Sequence, residues 1–417
     1  MTIPSQPVAT AGDPVDGRSA FVLELGRALH QHGAPAHRLE SALGELSEAL
    51  GLEASFFATP TALFSSFRGK EKDGSWSERT HLRRLEPGAV DLGTFADLDR
   101  LAQRVIAGEV GPSQGTREIH ELEQRPSLYP RWLAVLAAAL VSGSAARLFG
   151  GGAQEIALAA LAGAMVSLLA RVNRLWPPLG RLFELLGAIL VAMLAAWGAT
   201  LAPLASSIVI LAGLIVVVPG LTLTVGVTEL AQGSLVSGTS RLAGAMLSLV
   251  LLGFGAALGQ QLAVALGATG LDGTPSPLPG WTLPVAAALA ATAFTVLLRA
   301  APRDVPWILG CGLLTWSAAA FCAAHLGPVL AAFAGATVAG VASNAFGRLQ
   351  RRPSMVTRVS SILLLVPGAL GFRGVSSLLA DETLRGVDTV LDVVFIAVAI
   401  VVGLLLAGSL LPPRQRL

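Results

Sequence analysis

Two short motifs carry the residues best placed to do chemistry. Pro219-Gly220 and Pro367-Gly368 each lie in an apolar run, and polar side chains follow both: Thr222, Thr224, Thr228, Glu229 and Arg241 after the first, Arg373, Ser376, Ser377, Asp388 and Asp392 after the second. Proline lacks an amide hydrogen and clashes with the preceding turn, while glycine adds backbone freedom, so a helix carrying the pair tends to break there. At membrane depth, broken backbone is tolerated only against protein or a water-filled cavity, and paired breaks in corresponding helices point to a solute site. The predicted site is framed by Pro219, Gly220, Pro367 and Gly368. Thr222 and Thr224 offer it hydrogen bonds, and Arg241 or Arg373, with the half-helix amino ends, attracts an anionic group.

Asp388 and Asp392 are four residues apart and share a helix face, where burial and mutual repulsion can keep one carboxyl protonated; these two, or Glu229, are the candidates for carrying a proton. Each feature also has a plain reading: a simple proline kink for the breaks, and for the acids an Asp388 at a water interface with Asp392 paired to Arg373. Asn344 joins the candidates because its amide, in a Gly/Ala-rich apolar run, needs hydrogen-bond partners. Glu184 lies one turn after Arg181, and a local ion pair accounts for it. Gln154, Glu155, Gln260 and Gln261 read as interfacial.

Enzymatic chemistry finds no support. His30, His32, His37 and His81, with Ser65, Ser66 and several acids, can be assembled on paper into a metal site or a hydrolytic triad, but there is no H-E-x-x-H pair and no G-x-S-x-G elbow, so neither is expected, and no cofactor. Cys311 and Cys322 are the only cysteines. Eleven helical residues separate them by about 16 Å, too far for a disulfide, and both read as packing residues.

The elements that must position these residues are membrane spans. The 417 residues are 53% hydrophobic and 13% charged, no lysine follows Trp132, and the chain repeatedly runs for 18 or more residues without a charge, the length that crosses about 30 Å of hydrocarbon. Spans are predicted at about Trp132–Phe149, Gly152–Ala170, Arg181–Ala199, Pro203–Val218, Ser240–Leu266, Trp281–Leu298, Val305–Ala324, Gly327–Phe346, Val356–Ala380 and Val387–Leu411. With the amino terminus inside, the inner loops receive twelve arginines (171, 174, 181, 241, 299, 303, 348, 351, 352, 358, 414 and 416) and the outer side receives Arg147 and Arg385. That asymmetry selects ten spans with both termini cytoplasmic. The formal net charge of +2 and the scattered arginines argue against a nucleic-acid partner, and the first twenty residues lack the apolar core of a signal peptide.

Val218-Pro219-Gly220 recurs as Val366-Pro367-Gly368 at an offset of 148 residues, and the same offset brings Trp132 near Trp281. A five-span unit duplicated this way must enter the membrane from opposite sides, the inverted repeat typical of secondary transporters. The small residues Gly255, Gly259, Ala336 and Gly340 allow close helix approach, within one bundle or in a homo-oligomer.

Ahead of the spans, helices are predicted over Arg18–His32, Pro35–Leu50 and Leu92–Ile106, strands over Ala54–Phe67, broken near Pro60, and over Ser77–Leu85. Ser113–Arg125 reads as a surface helix or linker. The expected organisation is a disordered stretch over residues 1–17, a cytoplasmic α+β domain over 18–127, and five-helix membrane units over 128–270 and 271–417. The fold class is thus a polytopic α-helical membrane protein of about ten transmembrane helices arranged as two inverted repeats behind a small soluble domain.

Gly33-Ala34-Pro35-Ala36-His37-Arg38-Leu39-Glu40, Ala58-Thr59-Pro60-Thr61-Ala62-Leu63-Phe64, the run from Pro219 through Gly238 to Arg241, and Val366-Pro367-Gly368 together resemble the threonine/serine exporter family. The resemblance spans about Gly17 to Leu411, and Pro219–Arg241 is its most specific part. It implies proton-driven export of threonine, serine and related small amino acids across the plasma membrane of a bacterium, or, as in relatives of this architecture, export of a dicarboxylate such as succinate. The family pattern commonly has aspartate where this chain has Glu229. The expected partners are the small polar cargo, protons and the lipid bilayer. An uncoupled channel, and a membrane-anchored enzyme or sensor, are the rival readings.

Overall fold

The computed structural model describes residues 17–70, 76–86, 88–175, 180, 182–270, 273–365, 372 and 383–413. The stretch expected to be disordered, 1–17, lies outside the described residues up to position 16, and Gly17 opens the first helix. The amino-terminal segment forms α1 (Gly17–Gln31), α2 (Ala36–Ala49), β1 (Glu53–Thr59), β2 (Ala62–Lys70), β3 (Trp76–Arg84), α3 (Leu92–Ile106) and α4 (Pro112–Gln124). Phe21, Leu25 and Leu29 of α1 recur at helical spacing and face Leu39, Leu43 and Leu46 of α2 and Leu98 and Leu101 of α3 in one apolar core. Gly33, at φ +100°, makes the left-handed turn between α1 and α2 that a side chain would strain.

The sheet is antiparallel in the order β1-β2-β3, its first hairpin closing at Thr59↔Ala62 around Pro60. Strand alternation turns Ala58 and Leu63 to the core and leaves Phe57, Phe64 and Leu82, which lie in register, exposed on the other face. The stretch expected as a surface helix or linker is α4. It packs on α1, with Ile119 buried, Gly115 against the Phe21 ring and Arg27 Nη2 2.6 Å from Glu123, so its polar face hides an apolar one.

From Arg131 the regular elements among the described residues are helices: α5 (Arg131–Leu148), α6 (Ala153–Leu175), α7 (Phe183–Leu201), α8 (Ser206–Gly213), α9 (Gly220–Ala231), α10 (Leu235–Ala265), α11 (Thr282–Leu297), α12 (Val305–Leu326), α13 (Pro328–Gln350), α14 (Met355–Leu363) and α15 (Thr383–Leu410). Among the described residues seven helices, α5, α6, α7, α10, α12, α13 and α15, are long and apolar enough to cross a membrane. The other three expected spans differ for physical reasons. Its 16 residues give α11 about 24 Å, short of the hydrocarbon thickness. The fourth expected span holds only the short helix α8; turns from Leu214 to Pro219 follow, and the short helix α9 begins beyond the predicted end of the span. The ninth begins as α14, and its remainder apart from Leu364, Leu365 and Phe372 lies outside the described residues, Pro367, Gly368 and Arg373 included.

Helix pairings recur in the two halves. α5 packs on α6 as α11 packs on α12, α6 on α8 as α12 on α14, and α7 on α10 as α13 on α15. The small-residue positions serve these contacts: a Cβ on Gly255 or Gly259 would strike the α7 carbonyls of Leu185 or Ile189, and one on Gly340 would strike Ala407 of α15.

The amino-terminal segment docks at one end of this bundle. Leu92 N–H and Gly93 N–H donate to the Leu298 and Arg299 carbonyls, Asp91 meets Arg299 at 3.3 Å, Tyr129 donates to the Ala300 carbonyl at 2.8 Å, and Met355 packs against the segment's core. At the opposite end Arg147 donates to Thr282 Oγ1 at 2.6 Å. Glu155, expected at an interface, is buried there and accepts from Gly152 N–H and Ala205 N–H, both at 2.9 Å, tying the entry of α6 to that of α8. Glu184 accepts from Ser248 Oγ at 2.8 Å, and Arg181, its expected partner, lies outside the described residues.

Candidate functional site

Pro219, with φ −77° and ψ 45°, takes the N-cap of α9, where its missing amide hydrogen costs nothing, and buried Gly220 begins the helix. The chain thus breaks at the motif, and α9 is a half-helix. One stripe of α9, Leu221, Thr224, Val225 and Thr228, continued by its C-cap Gln232, lines a cavity of about 260 Å³. Asn344 of α13, Arg358, Val359 and Ile362 of α14, and Val401, Leu404 and Leu405 of α15 close it from the other half. Gly33, Pro35, His37 and Arg38, from the α1–α2 turn and the start of α2, close it from the docked segment. Among the described residues no Asp or Glu lines it.

Two of the predicted residues meet here. Thr224 lines the cavity with its hydroxyl donating to the Gly220 carbonyl at 3.0 Å. Asn344 is buried, its Nδ2 donating to the Leu411 carbonyl at 2.7 Å and its Oδ1 accepting from Arg358 Nη2 at 2.5 Å. Arg358 Nη2 also donates to Ser354 Oγ at 3.0 Å. Thr222 is half-buried on another face of α9 and is not among the cavity's lining residues.

Glu229 and Arg241 form a separate cluster at the α9–α10 turn. Glu229 is fully buried and accepts from Arg241 Nε at 3.0 Å, Ser237 Oγ at 2.8 Å and Ala36 N–H at 2.9 Å. The last bond brings an acid of the membrane bundle to the first turn of α2, where unpaired amides welcome an anion. Tight packing supports the turn, since a Cβ on Gly238 would stand 2.7 Å from the Gly226 carbonyl oxygen.

Asp392 lies exposed on α15, about 13 Å along the helix from the first cavity-lining residue of α15, Val401. Asp388 is in the same helix, and its side chain lies outside the described residues, as do Pro367, Gly368 and Arg373. Of His30, His32, His37 and His81, only His37 reaches the cavity, and His30 Nε2 lies 2.9 Å from the Pro60 carbonyl. Among the described residues no three His, Cys, Asp or Glu side chains gather as a metal cluster.

Sequence reading missed His37, Arg38 and Arg358. Burial, reinforced by Arg38, Arg358 and Arg241, holds His37 down at about 4, and burial also lowers Arg38 against the pull of Glu45. Arg352, a third cavity guanidinium, is paired with Asp304. The signal for Arg358 was present: an arginine two residues inside the expected ninth span, which was counted there as a loop charge.

The chain matches two threonine/serine exporter family models, one over residues 20–263 and the other over residues 284–410. It is similar to a protein of Mycobacterium tuberculosis named "Probable threonine/serine exporter", with 28% identity over 347 residues covering 81% of this chain and 66% of that one. Two fungal proteins, both named "Pheromone-regulated membrane protein 10", share shorter segments: 32% identity over 122 residues in Candida albicans and 30% over 128 residues in Saccharomyces cerevisiae. These segments cover 28% and 30% of this chain. The chain spans just under two thirds of the mycobacterial relative's length and 10% and 16% of the two fungal ones. No solved structure matches. The first family model alone covers more than half of the 417 residues, and the chain belongs to the threonine/serine exporter family, a family of transporters rather than enzymes.

Proposed function

We propose that the chain is a secondary active exporter of small amino acids, threonine and serine foremost, in the plasma membrane of a bacterium. The cavity between α9 and the α13–α15 group carries this reading: a polar-rimmed chamber of about 260 Å³ lined from both halves of the bundle, beside a broken helix. Drug-sized ligand sites run to roughly 300–1,000 Å³, so a chamber at or below that lower bound suits a small metabolite.

The recurring helix pairings support two five-span repeats, and the duplicated odd number of spans supports their inverted orientation and transport by alternating access. The amino-terminal segment, as a cytoplasmic α+β domain, touches the Arg299 loop, the α9–α10 turn and Met355, all on the side to which the arginine count assigns the cytoplasm. That agreement supports ten spans with both termini inside. Asp388 and Asp392 carry the coupling proton of an antiport in this proposal; Glu229, held by three donors outside the cavity, instead ties the amino-terminal domain to α9.

The test is efflux from proteoliposomes preloaded with radiolabelled threonine, serine or succinate, with and without an imposed pH gradient. Threonine or serine efflux that rises with the gradient is the expected result, and Asp392→Asn should abolish the gradient's effect in protein that stays folded. Gradient-insensitive efflux would make the protein a channel, and efflux of succinate alone would make it a dicarboxylate exporter.

A further inference from the structure

Arg358 and Arg38 line one cavity, and among the described residues no acid lines it with them. Arg358 is held in place: its Nη2 donates to Asn344 Oδ1 and Ser354 Oγ, and Asn344 is itself pinned to the Leu411 carbonyl. Its Nε is buried with no hydrogen-bond partner among the described residues. Neither Arg358 nor Arg38 has an ion-pair partner among the described residues, whereas Arg352, on the same wall, is paired with Asp304. His37 sits beside both, and its depressed pKa leaves it neutral at pH 7 with Nδ1 unsatisfied.

A buried charge without a counter-charge is costly, and a protein keeps one where a ligand completes it. A planar guanidinium matches a carboxylate with two parallel N–H bonds, and preorganisation by Asn344 lowers the ordering cost of forming them. The rest of the lining sets the polarity of the bound molecule: Thr224 and Thr228 donate their hydroxyl hydrogens to their own helix at 3.0 and 2.7 Å, which leaves oxygen lone pairs facing the chamber as acceptors.

We infer that Arg358 of the membrane bundle and Arg38 of the amino-terminal segment together form a carboxylate seat, positioned by Asn344, in which the amino-terminal segment supplies part of the cargo site. The seat differs from the expected one, because Arg241 is already neutralised by Glu229. The claim rests on the exporter reading only for the identity of the cargo; the anion seat itself stands on the cavity.

Thermal stabilisation of the purified full chain in detergent tests it, with threonine, serine, acetate, threonine methyl ester and threoninol as probes. Free carboxylates should raise the melting temperature in proportion to occupancy, and the ester and the alcohol should not. Arg358→Gln and Arg38→Gln should each raise the apparent Kd for threonine about tenfold or more, with Arg358→Lys intermediate. The ester comparison uses the unaltered protein and so does not depend on any variant folding. Three outcomes overturn the seat: no carboxylate stabilises the protein, the ester works as well as the acid, or both glutamine variants respond as the unaltered chain does. If acetate stabilises as well as threonine and serine and is lost in both variants, the seat stands and the amino-acid exporter reading falls.

Discussion

Glu229 and Arg358 are both charged side chains on the membrane bundle, both touch the region where the amino-terminal segment docks, and they are satisfied in opposite ways. Glu229 is wholly buried and meets a guanidinium, a hydroxyl and a backbone amide. On the wall of a cavity Arg358 meets an amide oxygen and a hydroxyl and, among the described residues, no carboxylate. A fully matched buried charge is spent on structure, whereas a partly matched one beside open space is available to a ligand. The contrast separates the element that holds the amino-terminal segment on the bundle from the element that uses it.

The largest expected effect follows from breaking the matched centre. Glu229→Ala strands Arg241, Ser237 and the Ala36 amide at once, and should cost about 3 kcal/mol in a denaturant melt in detergent, toward the low end for a buried pair because the Arg241 side chain keeps 18% of its exposure. The same variant should free the amino-terminal segment enough to speed protease cleavage in the 125–130 connection. If instead Glu229→Ala is as stable as the parent and loses only pH-driven efflux, Glu229 is a proton carrier after all and the holding role is wrong.

Arg358→Gln should do the reverse. The new amide can still donate to Asn344 Oδ1, and an uncompensated cation is removed, so without ligand the variant should be unchanged or about 1 kcal/mol more stable in the same melt. A large loss of stability would put Arg358 in the same class as Glu229 and erase the contrast.

Local pattern was enough for much of this. Apolar runs marked the long helices, the Pro219-Gly220 pair marked the break, and the strand stretch read as broken near Pro60 is the pair of strands in the first hairpin. The small-residue stripes were legible as close contacts, though their partners, α7 for Gly255 and α15 for Gly340, were not. The site was legible only in part, because its walls come from three distant stretches. Nothing near Ala36 announces that its amide will meet a carboxylate 193 residues later. His37 and Arg38 look like the polar flank of an ordinary amphipathic helix until the cavity is in place. Residue type alone drew attention to Asn344, whose amide in an apolar run does find two partners; the same logic applied to Arg358 would have drawn attention to it too.

The smallest expected effect, a pH dependence, reports on the cavity's charge directly. His37 titrates at about 4 in the folded protein against 6.5 when free, with burial the main cause and Arg38, Arg358 and Arg241 adding to it. Between those two values the unfolded chain binds more protons at this position than the folded one, so His37 makes stability rise with pH from about 4 to 6.5 and contributes fully above that. His37→Gln should flatten this part of the stability profile, as read from melting temperatures across that range. An anion seated between the two arginines cancels part of the field that disfavours the imidazolium, so saturating threonine should move the His37 titration upward in a histidine-labelled NMR experiment, and should not do so in Arg358→Gln. A His37 titration indifferent to threonine would mean that the cargo's charge is held elsewhere, and the two centres would then differ in burial without differing in purpose.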